Sequence, residues 1–182
     1  MERRTAVRAA LRLLNEVGID GLTTRRLADE LGVKQPALYW HFKNKQELLD
    51  EMAEEMLADT LERLDVPEPG QEWDNWLMSR GRVIRSALLS YRDGALVHAG
   101  SRPTPRRLAE LPALIRPLTE AGFTGEQAVR ALIAVGRFAL GSAIDERGPA
   151  VPLDVRPEED PDGDFEFGLR ALVSGMRLIL EG

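Results

Sequence analysis

Gly32 and Pro36 stand four positions apart in the stretch TTRRLADELGVKQPALYWHFKNK, Thr23 to Lys45. Together they leave room there for two short helices and little else. Glycine just past a run of helical residues ends the helix, because it alone enters the left-handed region without a Cβ penalty. Proline suits the first turn of the next helix, where a missing N–H costs nothing. Thr23 or Thr24 can cap the first of the two. Leu27, Ala28 and Leu31 share one face, and Val33 and Leu38 continue it, so the pair can pack as a helix-turn-helix. By pattern alone an ordinary hairpin in a helical bundle fits equally well. The exposed chemistry tips the balance. Gln35 can read a base edge and Arg25 can grip a guanine or a phosphate. Tyr39, His41, Lys43, Lys45 and the N–H groups that begin a helix at Asn44-Lys45 are natural phosphate partners.

The rest of the chain keeps the helical period. The spacing predicts helices over about 5–17, closed by Gly18; 24–31; 35–42; and 45–64, with Leu48, Leu49, Met52, Met56 and Leu57 on its apolar side. A loop over 65–72 carries two prolines and a glycine. Further helical patterns run from Trp73 to Ser90 with an extension to Val97, from Arg106 to Ala121 with interruptions at Pro112 and Pro117, from Gln127 to Asp145, and from Phe165 to Leu180. The Pro- and acid-rich stretch 146–164 reads as a mobile loop. Without a repeat or a strand pattern, the expected class is all-α. Small residues on the last two helices, Ala131, Ala134, Gly141, Ala171 and Gly175, would let helices approach closely across a two-fold axis.

Charge sharpens the reading. The chain of 182 residues carries a net charge of −6, yet residues 1–50 hold nine Lys and Arg against seven Asp and Glu. The N-terminal part could meet an anion that the remainder would repel. The absence of cysteine excludes disulfides, thiolate nucleophiles and cysteine-based zinc sites, and only His41 and His98 offer imidazoles. No apolar signal core follows Met1-Glu2-Arg3-Arg4, and no apolar run reaches the ~20 residues a bilayer demands. The expectation is a cytoplasmic protein with no membrane partner.

The stretch GLTTRRLADELGVKQPALYWHFKNKQELLD, and the region from about Thr5 to Leu57 as a whole, resembles the DNA-binding domain of TetR-family transcriptional regulators. ALLSYRDGALVHAGSRPT, AVGRFALGSAID and FEFGLRALVSGM are similar to later segments of the family's drug-binding members. The resemblance implies a three-helix DNA-binding domain at 1–44 and a ligand-binding and dimerisation domain at 45–182, whose first helix, about 45–64, is the connector. It implies a homodimer on double-stranded, palindromic operator DNA, released by a small-molecule effector of tetracycline-like or other chelating chemistry. Thr24, Arg25, Gln35, Pro36, Ala37, Tyr39, Trp40, His41 and Lys45 take the DNA-contact positions. Arg25 and Gln35 would read bases; Thr24, Tyr39, His41 and Lys45 would hold phosphates; Pro36 and Trp40 would give apolar contacts. Ala37 stands where those members carry a hydroxyl residue, and Lys34 where they carry an acid, so the operator sequence should differ.

The same resemblance places Leu61, Arg80, Ile84, His98, Ser101, Arg102, Pro103 and Leu114 at effector positions, with 101–103 in a stretch that moves on binding. His98 and Asp145, the latter from the partner subunit through water, would serve a magnesium ion arriving as part of an effector chelate; no other cofactor is implied. Magnesium prefers oxygen ligands and retains waters, so one imidazole suffices only if the effector brings oxygens. Four positions depart from the drug-binding pattern: Leu61 replaces a histidine, Arg80 an asparagine, Ile84 a phenylalanine and Leu114 a glutamine. Lost polar partners in a buried site cost about 1–3 kcal/mol each. A related but different effector is expected, an anionic one or a weakly bound tetracycline. The alternative reading is a small helical enzyme using His98 with Asp145 and the N-terminal unit as scaffold; no nucleophile motif, phosphate loop or ligand cluster accompanies that pair.

Overall fold

The computed structural model describes residues 2–61, 67–148 and 160–181. Among the described residues there are nine helices and no strand. They are α1 (Arg3–Gly21), α2 (Thr24–Glu30), α3 (Pro36–Tyr39), α4 (Lys45–Leu61), α5 (Trp73–Leu89), α6 (Gly94–Ala99), α7 (Pro105–Glu120), α8 (Gly125–Asp145) and α9 (Pro161–Glu181). The chain is all-α. Residues 62–64, expected to end the fourth helix, and most of the acidic stretch expected to be mobile lie outside the described residues.

The chain divides into two compact units, Met1–Thr60 with Ala87–Ala109, and Leu61–Ser86 with Glu110–Gly182. In the first, the apolar faces of α1, α2 and α4 close over Leu14, Leu22, Leu27, Leu38, Phe42, Leu48, Met52 and Met56, and Val97 of α6 joins them. Each such side chain, fully buried, contributes about 1.5–3 kcal/mol. In the second, Trp76, Leu77, Leu118, Val135, Phe165 and Leu169 form the core. Phe138 of α8 stacks on Phe165 of α9 with ring centroids 5.4 Å apart.

Several boundaries differ from the sequence reading. α1 does not stop at Gly18: that residue takes φ 71°, ψ 177°, the helix kinks, and one more turn follows to Gly21. The extension from Ser90 to Val97 is a separate helix. The break lies at Asp93, whose φ of 56° makes it the sole non-glycine residue with positive φ among the described residues. Pro112 and Pro117 do not interrupt α7. A proline frees the carbonyl four residues before it; here those belong to Leu108 and Ala113, both exposed, so water can satisfy them. Finally, α8 is long and apolar enough, by length and composition, to cross a membrane, contrary to the expectation that no run would be. Its Ala128, Ala131, Val135, Ala139 and Ala143 are buried, as in a bundle helix of the second unit.

Candidate functional site

The first unit presents α3 outward. Thr23 caps α2, accepting from Arg26 N–H at 3.2 Å. Gly32 then turns the chain with φ 65°, and Val33 N–H bonds back to Ala28 O at 3.0 Å. Pro36 opens α3 at its first position. The helix proper spans four residues, shorter than the expected 35–42, but turns bracket it: Ala37 N–H donates to Lys34 O at 2.8 Å, and the N–H groups of His41 and Phe42 both donate to Leu38 O at 2.9 Å. Leu38 and Phe42 are buried beneath it.

The outward face collects the residues expected to touch DNA. Trp40 is 89% exposed and Tyr39 52%. Arg25, Gln35, Pro36 and Lys45 are exposed, and Thr24, Ala37 and His41 half-buried. Gln35 Nε2 donates to Thr24 Oγ1 at 2.9 Å, which pre-sets the amide across the two helices. Lys34 is exposed beside them. Asn44 caps α4 by accepting from Glu47 N–H at 2.9 Å, while Glu47 Oε2 accepts from Lys43 N–H at 2.7 Å. That carboxylate is held below its ordinary range by a hydrogen bond from Arg3 and then by the Lys43 N–H.

Within the same unit, α4 is bonded to the segment that leaves α6. Gln46 Nε2 donates to Gly100 O at 2.8 Å and to Asp50 Oδ1 at 2.8 Å; Asp50 Oδ1 also accepts from Arg102 N–H at 2.9 Å. One turn on, Glu54 accepts from Thr104 Oγ1 and, at 2.7 Å, from Arg106 Nε. Residues 46, 50 and 54 recur every four positions and so line one face of the helix. This ladder joins the segment that holds the expected effector positions 101–103, directly at Arg102, to the helix that begins beside α3. Sequence reasoning missed it, although the polar spacing on α4 was there to be read.

His98 lies near the end of α6, half-buried, and its carbonyl accepts from Ser101 Oγ at 2.8 Å. Its Nδ1 is buried with no hydrogen-bond partner. Burial pushes the imidazole's pKa below its ordinary value and so favours the neutral form, which can offer a lone pair. Ser101 is half-buried; Arg102 and Pro103 are exposed.

The remaining effector positions belong to the second unit or end α4. Arg80 is 3% exposed, its guanidinium carbon 5.2 Å from the centre of the Trp76 ring. Leu114 is buried, Ile84 packs on the core, and Asp145 is exposed at the end of α8. Leu61 is the last residue of α4, its side chain outside the described set. No group of three or more His, Cys, Asp or Glu able to hold a metal occurs among the described residues.

Known proteins share this arrangement. A family model for bacterial regulatory proteins of the tetR family matches residues 6–52, and one for the tetracyclin repressor-like C-terminal domain matches 66–161. The chain is 44% identical to the tetracycline repressor protein class A from transposon 1721 of Escherichia coli, over 97% of this chain and 90% of that protein. It is similar to a solved TetR from Acinetobacter baumannii AYE in complex with minocycline, with a TM-score of 0.86 and 44% identity over 99% of this chain and 98% of that one. TetR of class A in complex with 5a,6-anhydrotetracycline and magnesium gives a TM-score of 0.79 and 43% identity over 97% and 98% of the two chains. With both halves matched and nearly the whole length covered, the chain belongs to the tetR family of bacterial regulatory proteins.

Proposed function

We propose that the chain is a ligand-responsive transcriptional repressor, which binds a palindromic operator as a homodimer and is released by a small-molecule effector. Residues 1–44 form the DNA-binding part; 45–182 form the ligand-binding and dimerisation part, with the helix that starts at Lys45 as connector. The relatives are transcriptional regulators, and the enzyme reading of His98 with Asp145 is set aside.

What supports DNA binding most directly is the pair Tyr39 and Trp40, held in solvent while Leu38 and Phe42 on the same turns are buried. Two adjacent exposed rings above a buried pair suit a surface that meets a partner. Around them Arg25 and Gln35 suit base edges, Thr24, His41 and Lys45 suit phosphates, and Pro36 and Ala37 give apolar contact. Support for the homodimer comes from α8 and α9: much of the apolar α8 is left unburied, Ile133 included, and Phe167, Leu178 and Ile179 are exposed on α9. A second copy would cover them and set two reading helices about one turn of DNA apart. A protein that acts on operator DNA works in the cytoplasm.

The effector positions that the family resemblance implies are His98, Ser101, Arg102 and Pro103 in the first unit and Arg80, Ile84, Leu114 and Leu61 in the second. The neutral, unpartnered His98 Nδ1 fits a magnesium ion that arrives already chelated, with Asp145 of the second copy acting through water. Bound magnesium would organise the oxygen donors of the effector. His98 supplies one nitrogen only, so the remaining ligands belong to the effector and to water. Movement of the 98–104 segment would pull on the Gln46–Asp50–Glu54 face of α4 and so re-aim α3. The coupling is reciprocal: operator must weaken effector binding by the same factor that effector weakens operator binding.

Two measurements test this. Selection from a random duplex pool should enrich a palindrome that the protein shifts on a gel, with affinity falling steeply as salt rises; no enrichment would overturn the DNA reading. A melting screen of tetracyclines and acidic chelators, with and without magnesium, should show a concentration-dependent rise for a ligand of the effector class.

A further inference from the structure

We propose that Arg3 is a positioning residue for operator recognition: it locks the exit of the reading helix onto α4, and does so without touching DNA. This rests on the reading of α3 as the operator-binding helix.

Arg3 is the first residue of α1, far in sequence from α3, yet its guanidinium gathers the groups that fix where α3 points. One terminal nitrogen donates to the carbonyl of His41. The other donates to Glu47 Oε1 at 2.7 Å and to Glu51 Oε1 at 2.8 Å. Nε donates to Glu51 Oε1 at 3.2 Å. The guanidinium carbon sits 4.8 Å from the centre of the Phe42 ring. The same Glu47 also receives the Lys43 N–H, and its own N–H is capped by Asn44. Every residue from His41 to Asn44 is thus tied to Arg3, directly or through Glu47.

Carbonyls at a helix exit lack an intrahelical partner. The chain could leave α3 in several directions; the Arg3 fork selects one. A planar guanidinium holds three acceptors in fixed relation, which an ammonium cannot copy. The direction matters because Tyr39, Trp40, His41 and Lys45 flank this turn on both sides. A tilt there shifts the base-reading and phosphate-holding groups relative to each other while the buried core is unchanged.

A direct phosphate contact is the competing role, and charge argues against it. Arg3 is already matched by two carboxylates, so the cluster presents negative charge to an approaching backbone. A residue that neutralises a phosphate steepens the salt dependence of binding; a positioning residue does not.

The test uses the full-length protein, the palindromic duplex selected by wild type, and a scrambled duplex, by fluorescence anisotropy over a salt series. Wild type binding the selected duplex establishes the operator reading first, so its failure is separable from that of Arg3. For Arg3→Gln and Arg3→Lys we expect about a tenfold or larger loss on the selected duplex, unchanged binding to the scrambled one, and an unchanged salt slope. Glu51→Gln, which keeps Arg3, should give a smaller loss of the same kind, and should add little when combined with Arg3→Gln. Unchanged affinity for the selected duplex overturns the proposal. So does a parallel loss on both duplexes with a slope shallower by about 1, which would make Arg3 a phosphate contact. If Arg3→Gln unfolds, judged by circular dichroism, Arg3→Lys and Glu51→Gln decide between these outcomes.

Discussion

Replacing Gly18 with alanine should destabilise the first unit by an amount that the local geometry fixes. Gly18 sits at φ 71°, ψ 177°, a combination that is nearly exclusive to glycine, and a side chain there costs about 1–3 kcal/mol in backbone strain. A Cβ would also lie 2.8 Å from Asp93 Oδ2 and 3.1 Å from Arg92 Nε. Neither neighbour can yield freely. Asp93 Oδ2 accepts from Ile19 N–H at 2.9 Å. Arg92 accepts no displacement without straining its own bonds, N–H to Asn15 Oδ1 at 2.8 Å and guanidinium to Glu16 O at 2.9 Å. Losing the charged acceptor of Ile19 adds up to ~1.5–3 kcal/mol. The sum for Gly18→Ala is roughly 2–4 kcal/mol, because part of the strain is relieved when the turn moves. For a chain of this length that lowers the melting temperature by roughly 5–15 °C. Thermal unfolding by circular dichroism measures it, and the cycle with Asp93→Ala apportions it. In the Asp93→Ala background the clash with the carboxylate is gone, so Gly18→Ala should cost only the strain and the tight contact with Arg92. A loss below ~0.5 kcal/mol, or strict additivity in the cycle, would refute the account.

Other expectations follow from the same contacts. Gln35→Ala and Tyr39→Ala should abolish the gel shift with the selected duplex while circular dichroism and dimer mass stay as in wild type; retained affinity in both would remove α3 from the interface. Asp50→Ala, which breaks the α4 rung to Arg102 N–H, should shrink the ratio of operator affinities without and with effector by about tenfold, a typical coupling energy; titration of both states reads it. Thr124 and Gln127 form a reciprocal cap on α8 with bonds of 3.2 and 2.8 Å, so Thr124→Ala should cost about 1 kcal/mol in denaturant unfolding. Acid should destabilise the fold in a defined window. Glu47 and Glu166 have folded pKa values below the ordinary 4.5, through hydrogen bonds from Arg3 and Arg82. Glu55 is lowered too, its burial opposing but outweighed by bonds from Arg4 and Arg8. A depressed carboxylate stabilises fully above its unfolded pKa and loses that contribution as pH falls through the folded value. Stability should therefore hold down to about pH 5 and decline below 4.5, with a gentler decline in Glu166→Gln.

Much of the architecture could be read from residues, and the gaps have physical causes. The apolar period of α1, α4, α8 and α9, the Gly32 turn, Pro36 at the start of α3 and the Asn44 cap all rest on local rules, and local rules are what a sequence displays. Asp93 escaped because aspartate tolerates the left-handed region without announcing it as glycine does. Gly18 read as a stop, whereas the chain uses it as a bend that brings 91–93 against α1. The prolines of α7 read as breaks because exposure of the freed carbonyls is a tertiary fact. At the site, the residues proposed to meet DNA were picked from their chemistry and from a specific family pattern, and the structure leaves Tyr39 and Trp40 among them in solvent. Arg3 and the Gln46–Asp50–Glu54 ladder were not, since each acts on partners 38 to 54 positions away, and a lone arginine among many gives no sign of which carbonyl it will find.

The apolar residues left open on α8 and α9 have a genetic consequence. If two copies are needed to cover Phe167, Leu178 and Ile179, a subunit with a crippled reading helix will still recruit an intact partner. Equal expression of wild type and Gln35→Ala would put half of all chains into mixed pairs, each with one working head on a two-headed site. The defective allele should then act as a dominant negative, and truncating α9 in the same subunit should make it recessive again.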